Sequence, residues 1–323
     1  MSRARKALGS RAVFWVLVAA AASLPLIANL VEFPYLVRIG GVVGLYMLLS
    51  LGLNFTLGYV GLFDLGFIAF YAIGAYTAAI AMRAHVPAPL AILLAIAVAV
   101  ASRLLLGVTV LRLRGDYLAV VTMGFGEIAR LTINNLDALT NGPKGMQVRS
   151  WRPLAFLAKD PNVQFYLMIA AAVALGAAAS RRLEDSRVGR AWVAIREDEI
   201  AARLSGIPVQ RYKLLAFTLS AVFAGLAGAL FALWEQFVTP ESFVFWESTL
   251  IVSIVVLGGM GSIGGVLLGA LILAGLPPLM QATLSTGLIN YRYLFFGLIL
   301  VLVTLFRPQG LLPSARREAE LNS

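Results

Sequence analysis

Two charged constellations stand out in an oily chain, and each is spaced for a particular kind of work. Within Asp116-Tyr-Leu-Ala-Val-Val-Thr-Met-Gly-Phe-Gly-Glu-Ile-Ala-Arg130, Glu127 and Arg130 lie three residues apart. That spacing places both on one face of a helix, where they can pair. A charge at the middle of a bilayer costs roughly 2.5–3.5 kcal/mol on insertion scales, so such residues usually turn toward a bundle interior. Asn134 and Asn135 follow a turn further on. The four residues read equally as the lining or outer gate of a translocation path and as an interfacial pair snorkelling toward headgroups.

The second constellation is Val188–Phe217, V-G-R-A-W-V-A-I-R-E-D-E-I-A-A-R-L-S-G-I-P-V-Q-R-Y-K-L-L-A-F. Apolar residues lead in from Ala191 to Ile195, and Arg196-Glu197-Asp198-Glu199 then arrive together. Gly206 stands where a helix C-terminal glycine belongs, and Pro208 where a helix cannot continue. The pattern predicts one short helix, about fifteen residues long, held between two hydrophobic segments. An element carrying both charge signs can rest against the floor of a membrane protein and still offer charges to a soluble partner. A solvated basic loop is the alternative, since most cytoplasmic loops are basic. Helix, stop signals and mixed charge coincide here, which favours docking.

Other chemistry finds no footing. The chain has no cysteine, which excludes disulfides, thiolate metal sites and cysteine nucleophiles. Its single histidine, His85, lies between Arg83 and Pro87 at the end of an apolar run and reads as interfacial. No G-x-x-x-x-G-K-[ST] is present, and the glycine cluster Gly258–Gly265 has no lysine to reach a phosphate. No H-E-x-x-H or G-x-S-x-G occurs either, so the chain reads as a transport protein without cofactor or catalytic residues. Uphill transport would then draw on an ion gradient or on another subunit. Asp64 reads as a capping carboxylate in the first turn of a span, and Leu139–Met146, with its Asn-Gly-Pro, reads as a turn.

The elements that must position these residues are apolar helices. Of 323 residues, 60% are hydrophobic and 13% charged, against about a quarter charged in soluble domains. The fold class is therefore all-α, a polytopic transmembrane bundle forming a single domain over 1–323. The net charge of +10 follows from cytoplasmic loops rich in Lys and Arg, and needs no nucleic-acid partner. An uncleaved first span at Ala12–Leu30 is expected. Further spans are expected at Val37–Leu57, Leu62–Met82, Leu90–Leu111, Tyr117–Ile133, Val163–Ala179, Leu214–Phe237, Ser248–Leu257, Ile263–Met280 and Tyr291–Phe306. This ten-span arrangement places both termini, the segment 181–213 and the tail 307–323 in the cytoplasm. The basic residues Arg112, Arg114, Arg181, Arg182, Arg187, Arg190, Arg196, Arg203, Arg211, Lys213, Arg307, Arg316 and Arg317 agree with it. Lys144, Arg149, Arg152 and Lys159 in the loop Asn134–Asn162 run against it. Gly58-Tyr-Val-Gly61 and Gly258-Gly-Met-Gly261 each follow a leucine and interrupt hydrophobic sequence. They hint at an internal repeat and at broken helices, which are tolerated where protein or a watery cavity surrounds them.

The coupling stretch resembles that of the permease subunits of bacterial ABC importers for branched-chain amino acids. Gly189-Arg190, Ala194-Ile195-Arg196-Glu197-Asp198-Glu199, Gly206-Ile207 and Arg211-Tyr212-Lys213 carry the resemblance. Gly74-Ala-Tyr-Thr-Ala-Ala79, Asp116–Gly145, Gly258-Gly-Met-Gly-Ser-Ile-Gly264 and Arg307-Pro-Gln-Gly-Leu311 extend it over nearly the whole chain after the first span. It implies a type II importer-like permease of the inner membrane, the longer of two homologous permease subunits that pair as a heterodimer. It further implies two ATP-binding cassette subunits below and a periplasmic or lipid-anchored binding protein above. In that scheme Gly189, Arg190, Ile195, Arg196, Glu197, Asp198, Glu199 and Gly206 belong to the helix seated in a groove of the ATPase. Glu127, Arg130, Asn134 and Asn135 sit near the path or its outer gate. Lys144, Asp64 and Phe67 depart from the family's usual residues. Similar permeases carry urea, short amides or aromatic acids, so the cargo stays open between these and Leu, Ile and Val. A secondary transporter would need a working carboxylate in mid-span, for which Glu127 is the candidate.

Overall fold

The computed structural model describes residues 35–283, apart from 112, 114, 153 and 157, together with 297–298, 301, 305–307 and 309–312. The expected first span at Ala12–Leu30, most of the expected last one at Tyr291–Phe306, and Arg112, Arg114, Arg316 and Arg317 lie outside the described residues. What is described is all-α apart from one two-residue ribbon. The long helices are α1 (Tyr35–Leu53), α2 (Phe67–Arg83), α3 (Ala88–Val110) and α4 (Asp116–Asn135). A single turn, α5 (Asp137–Thr140), precedes α6 (Pro161–Glu184). Two short helices, α7 (Arg187–Glu197) and α8 (Glu199–Leu204), lead into α9 (Val209–Glu235), α10 (Phe245–Gly258) and α11 (Ile263–Thr283).

Six stretches among the described residues are long and apolar enough to cross a membrane: Tyr35–Tyr59, Ala88–Val110, Pro161–Glu184, Val209–Glu235, Pro240–Gly258 and Ile263–Gln281. Eight spans were expected over the same region, and the difference lies in α2 and α4. α2 is apolar but only 17 residues long, because the chain before it is not helical. α4 has 20 residues but devotes part of its circumference to Glu127, Arg130 and Asn134. The all-α transmembrane bundle stands.

α9 is the central post, packed against α2 and α3, while α1 packs against α6, α9 and α11. Lipid tails are as apolar as Leu, so membrane helices associate mainly through close packing, and small residues permit it. A Cβ on Gly74 of α2 would lie 2.7 Å from the Gly225 Cα of α9. One on Gly225 would lie 2.9 Å from the Ala99 Cβ of α3. Ala95 and Ala99 are fully buried on that face, whereas Leu93, Leu105 and Val108 point outward at 62%, 79% and 61% exposure, as a lipid-facing helix requires.

The run that begins as α1 does not end cleanly. It widens into a π-turn at Asn54–Tyr59 and then loses helical form at Val60–Gly66, before α2 begins. Leu62 N donates to the Thr56 carbonyl at 2.9 Å across this break. α10 is short, 14 residues or about 21 Å at 1.5 Å per residue. The tight turn Pro240–Phe243 lengthens that apolar stretch. α10 and α11 form a hairpin through Gly259–Ser262, closed by Gly258 and Gly265 back to back. The antiparallel strands β1 (Met146–Gln147) and β2 (Phe237–Val238) tie the loop after α4 to the end of α9. The Asn-Gly-Pro turn forms as expected, with Asn141 in the left-handed region at φ 62° and its Nδ2 donating to the Gly145 carbonyl at 2.7 Å.

Candidate coupling segment and path lining

The segment expected to be one helix is two. Ser186 caps α7, its Oγ accepting from Val188 N at 3.1 Å and Gly189 N at 3.4 Å. Asp198 then leaves helical geometry (φ −153°, ψ 110°), and its Oδ1 caps α8 by accepting from Ile200 N at 2.7 Å and Ala201 N at 3.0 Å. Asp and Ser are strong N-caps, and Asp198 uses that chemistry to break the helix inside the charged run. Gly206 ends α8 with φ +81°, the left-handed exit that glycine makes without cost.

The eight residues expected to couple divide by the side they face. Gly189 and Ile195 are buried, and so is Trp192 between them. A Cβ on Gly189 would lie 2.3 Å from the Glu184 carbonyl oxygen, so glycine there lets α7 fold tightly under α6. Trp192 donates from Nε1 to the Tyr212 carbonyl at 2.8 Å and stacks on Tyr59 with ring centroids 6.1 Å apart. Arg196 also turns inward, donating from Nη1 to the Gly58 carbonyl at 2.7 Å. Glu199 accepts from Lys213 Nζ at 2.7 Å and Arg203 Nη2 at 3.1 Å, and Lys213 is nearly buried. Arg190, Glu197, Asp198 and Gly206 remain on the outer surface. They are joined there by two apolar side chains that sequence reasoning missed, Ile200 at 62% and Leu204 at 84% exposure. Their signal was legible: two large apolar residues four apart in a short helix whose other residues are Glu199, Arg203 and two alanines.

On α4 the expected pair forms, Arg130 Nε donating to Glu127 Oε2 at 3.1 Å and Oε1 at 3.2 Å. Glu127 and Arg130 are partly exposed, with Asn134 on the same side of α4. Asn135 is exposed and donates to the Leu131 carbonyl at 2.7 Å. The buried edge of α4, with Leu118, Thr122 and Gly126, rests on the broken segment. Thr122 Oγ1 accepts from Leu65 N at 3.1 Å, and Gly66 presses on the Thr122 carbonyl. Glu127 opens on a small cleft shared with Leu65, Ile68, Met123, Gly126, Phe243 and Phe245.

Asp64 departs from its expected role. It lies three residues before α2 and does not cap it: Gly66 holds the cap position without a side-chain bond. Its Oδ1 accepts from Gly66 N at 3.2 Å, while its Oδ2 pairs with Arg103 of α3, both side chains at 0% exposure. Arg103 lies between two rings, its guanidinium carbon 4.5 Å from the Phe70 centroid and 3.9 Å from that of Phe217. Sequence reasoning passed over Arg103, although an arginine inside an apolar span is a signal by itself. His85 is exposed, with its Nδ1 3.2 Å from Arg149 Nη1.

An all-α bundle with several spanning helices, one broken within the protein, and a capped two-helix segment at one end defines a multi-pass membrane protein of the permease class. The family model for "branched-chain amino acid transport system / permease component" matches residues 35–304, and the chain belongs to that family. It is 41% identical over 333 residues to the high-affinity branched-chain amino acid transport system permease protein LivM of Salmonella typhimurium, over 93% of this chain and 76% of the relative. It is 37% identical over 127 residues to the permease protein LivH of Escherichia coli K12, over 39% and 40% of the two chains. The L-arabinose transport system permease protein AraH of the same strain is 32% identical over 128 residues, 38% and 39% of the two chains. No solved structure matches the chain.

Proposed function

We propose that this chain is the longer permease subunit of an inner-membrane ABC importer for leucine, isoleucine and valine. A periplasmic or lipid-anchored binding protein delivers the amino acid, and a second, homologous permease completes the path. Two ATP-binding subunits hydrolyse ATP, and this chain performs no chemistry of its own. The observation that carries the coupling role is the two-sidedness of α7–α8. Its inner side is stapled by Trp192, Ile195 and Arg196, while Arg190, Glu197, Ile200 and Leu204 are offered outward. A charged rim around an apolar anchor is the pattern of a docking surface. It lies at the end that the positive-inside rule assigns to the cytoplasm, given Arg181, Arg182, Arg187, Arg203 and Arg211, which puts both termini inside. The path or its outer gate is lined by Glu127, Arg130, Asn134 and Asn135. The cargo rests on the identity with LivM, since the shorter stretch shared with AraH belongs to a relative named for a sugar.

Reconstitution of the chain with its partner permease, ATPases and binding protein tests this, by ATP hydrolysis and uptake of labelled leucine and urea. Leucine uptake that needs ATP is expected. In Arg190→Glu/Glu197→Lys, the ATPase subunits are expected to dissociate and uptake to be lost. Urea uptake in place of leucine changes the cargo. Gradient-driven uptake by this chain alone, indifferent to the variant, overturns the importer reading.

A further inference from the structure

Three elements that are far apart in sequence meet at one point beside α7. Gly58 belongs to the π-turn that ends α1, Gly261 to the turn between α10 and α11, and Arg196 to the last turn of α7. Gly261 N donates to Asn54 Oδ1 at 2.9 Å. A Cβ on Gly58 would lie 1.9 Å from that same Oδ1 and 2.6 Å from Gly261 N. The two glycine interruptions are therefore in backbone contact with each other, and larger residues would drive them apart. Arg196 closes the joint from outside the bundle. Its guanidinium donates to the Gly58 carbonyl at 2.7 Å, and a Cβ on Gly261 would lie 3.6 Å from its Nη1. Its stem crosses Gly61, where a Cβ would lie 3.0 Å from Arg196 Cγ. The far side of the hairpin turn is held as well: Leu311 N donates to the Leu257 carbonyl at 2.9 Å and Leu312 N to the Gly258 carbonyl at 3.0 Å.

We propose that Arg196 is the positioning residue through which movement of α7 reaches the broken-helix joint formed by Asn54, Gly58 and Gly261. The inference rests on the importer reading above. A charge-assisted hydrogen bond to a carbonyl near a helix C-terminus is short and directional, and a guanidinium holds its donors in a fixed plane. Of the neighbouring charges, Glu197 and Asp198 face outward, and Glu199 accepts from Lys213 and Arg203 within the segment. A pull or tilt on α7 is thus passed to two spanning elements at once, the end of α1 and the α10–α11 hairpin. Such a path is established by coupling and not by proximity.

The test uses the whole complex in proteoliposomes and reads uptake per ATP hydrolysed, together with recovery of the ATPase subunits on affinity purification. Arg196→Ala is expected to keep the ATPases bound and hydrolysing at close to the wild-type rate while uptake per ATP falls about tenfold, within the usual range of coupling between sites. Arg196→Lys, which retains a charged donor, is expected to recover much of that ratio. Asn54→Ala loosens the same joint from the membrane side and is expected to lower the ratio as well. An unchanged ratio in Arg196→Ala or in Asn54→Ala overturns the proposal, as does loss of the ATPases in Arg196→Ala, which would make Arg196 a docking residue. If the wild-type complex moves urea in place of leucine, the cargo reading fails and the same ratio is read with urea. A wild-type complex without ATP-dependent uptake of either overturns the importer reading itself.

Discussion

Two ion pairs border the Val60–Gly66 break, and they are built for opposite purposes. Asp64–Arg103 is sealed: both side chains are at 0% exposure, and the guanidinium lies between Phe70 and Phe217. Glu127–Arg130 is open, at 44% and 21%, and its partners are neighbours on one helix. The sealed pair spans three elements, since Asp64 precedes α2, Arg103 belongs to α3 and Phe217 to α9. It can be satisfied only when those elements are in place. The open pair makes its hydrogen bonds within α4, and its partly exposed side chains lie beside the cleft. Glu241 of the Pro240–Phe243 turn also acts by charge on Arg130. Chemistry of one type serves as a structural pin where it is buried and as a surface feature where it is not.

Removing one member of the sealed pair is expected to have the largest effect. Arg103→Leu leaves the Asp64 carboxylate buried without its partner, a change that costs about 3–5 kcal/mol, and it also loses the stacking on both rings. Thermal melting in detergent should fall sharply and the yield of folded protein with it. The double variant Arg103→Leu/Asp64→Leu should recover a large part of the loss, because apolar replacement of a whole buried pair is often close to neutral. A single variant that melts like the wild type would break the comparison.

A smaller effect is expected where the two regions join. A Cβ on Gly66 would lie 2.0 Å from the Thr122 carbonyl oxygen, so Gly66→Ala must push α4 off the broken segment and strain the bond between Thr122 and Leu65. Overpacking of this kind costs about 1–3 kcal/mol. The loss should appear in the melting temperature, and amide exchange should quicken at Leu65. If melting is unaffected, α4 is not braced by the break, and the sealed and open pairs are independent.

The chain's character was plain in its sequence because hydrophobic runs of spanning length leave few alternatives. Helix existence and the glycine interruptions followed from composition and pattern. Helix limits were harder. In sequence Asp198 reads as one more charge in a helix, but an aspartate can satisfy amide groups as an N-cap, and here that local bond outweighs continued helix. In sequence Arg196 groups with Glu197 and Asp198, but successive helical residues point about 100° apart, so Arg196 faces Gly58 while Glu197 faces outward. Asp64 was legible as a carboxylate near a helix start, but its partner is 39 residues away, and no local pattern announces a tertiary pair. The meeting of Gly58 with Gly261 is likewise a matter of packing, although the matched glycine patterns pointed at both positions.

The open pair sets the last test, where stability and transport should part company. In Glu127→Gln the side chain keeps its length and an acceptor for Arg130 but loses its charge. Partly exposed pairs contribute about 0–1 kcal/mol, so melting should be nearly unchanged. Uptake by the assembled importer should nevertheless drop several-fold if the cleft beside Glu127 borders the path, because the charge there acts on what passes and not on the fold. Arg130→Gln should behave likewise, and the double variant should be no worse than the poorer single one if the two act as a unit. Uptake that survives all three changes would return Glu127 and Arg130 to the reading of an interfacial pair reaching for headgroups. Asn134 and Asn135 would go with them, and the path would have to be sought on another face of the bundle.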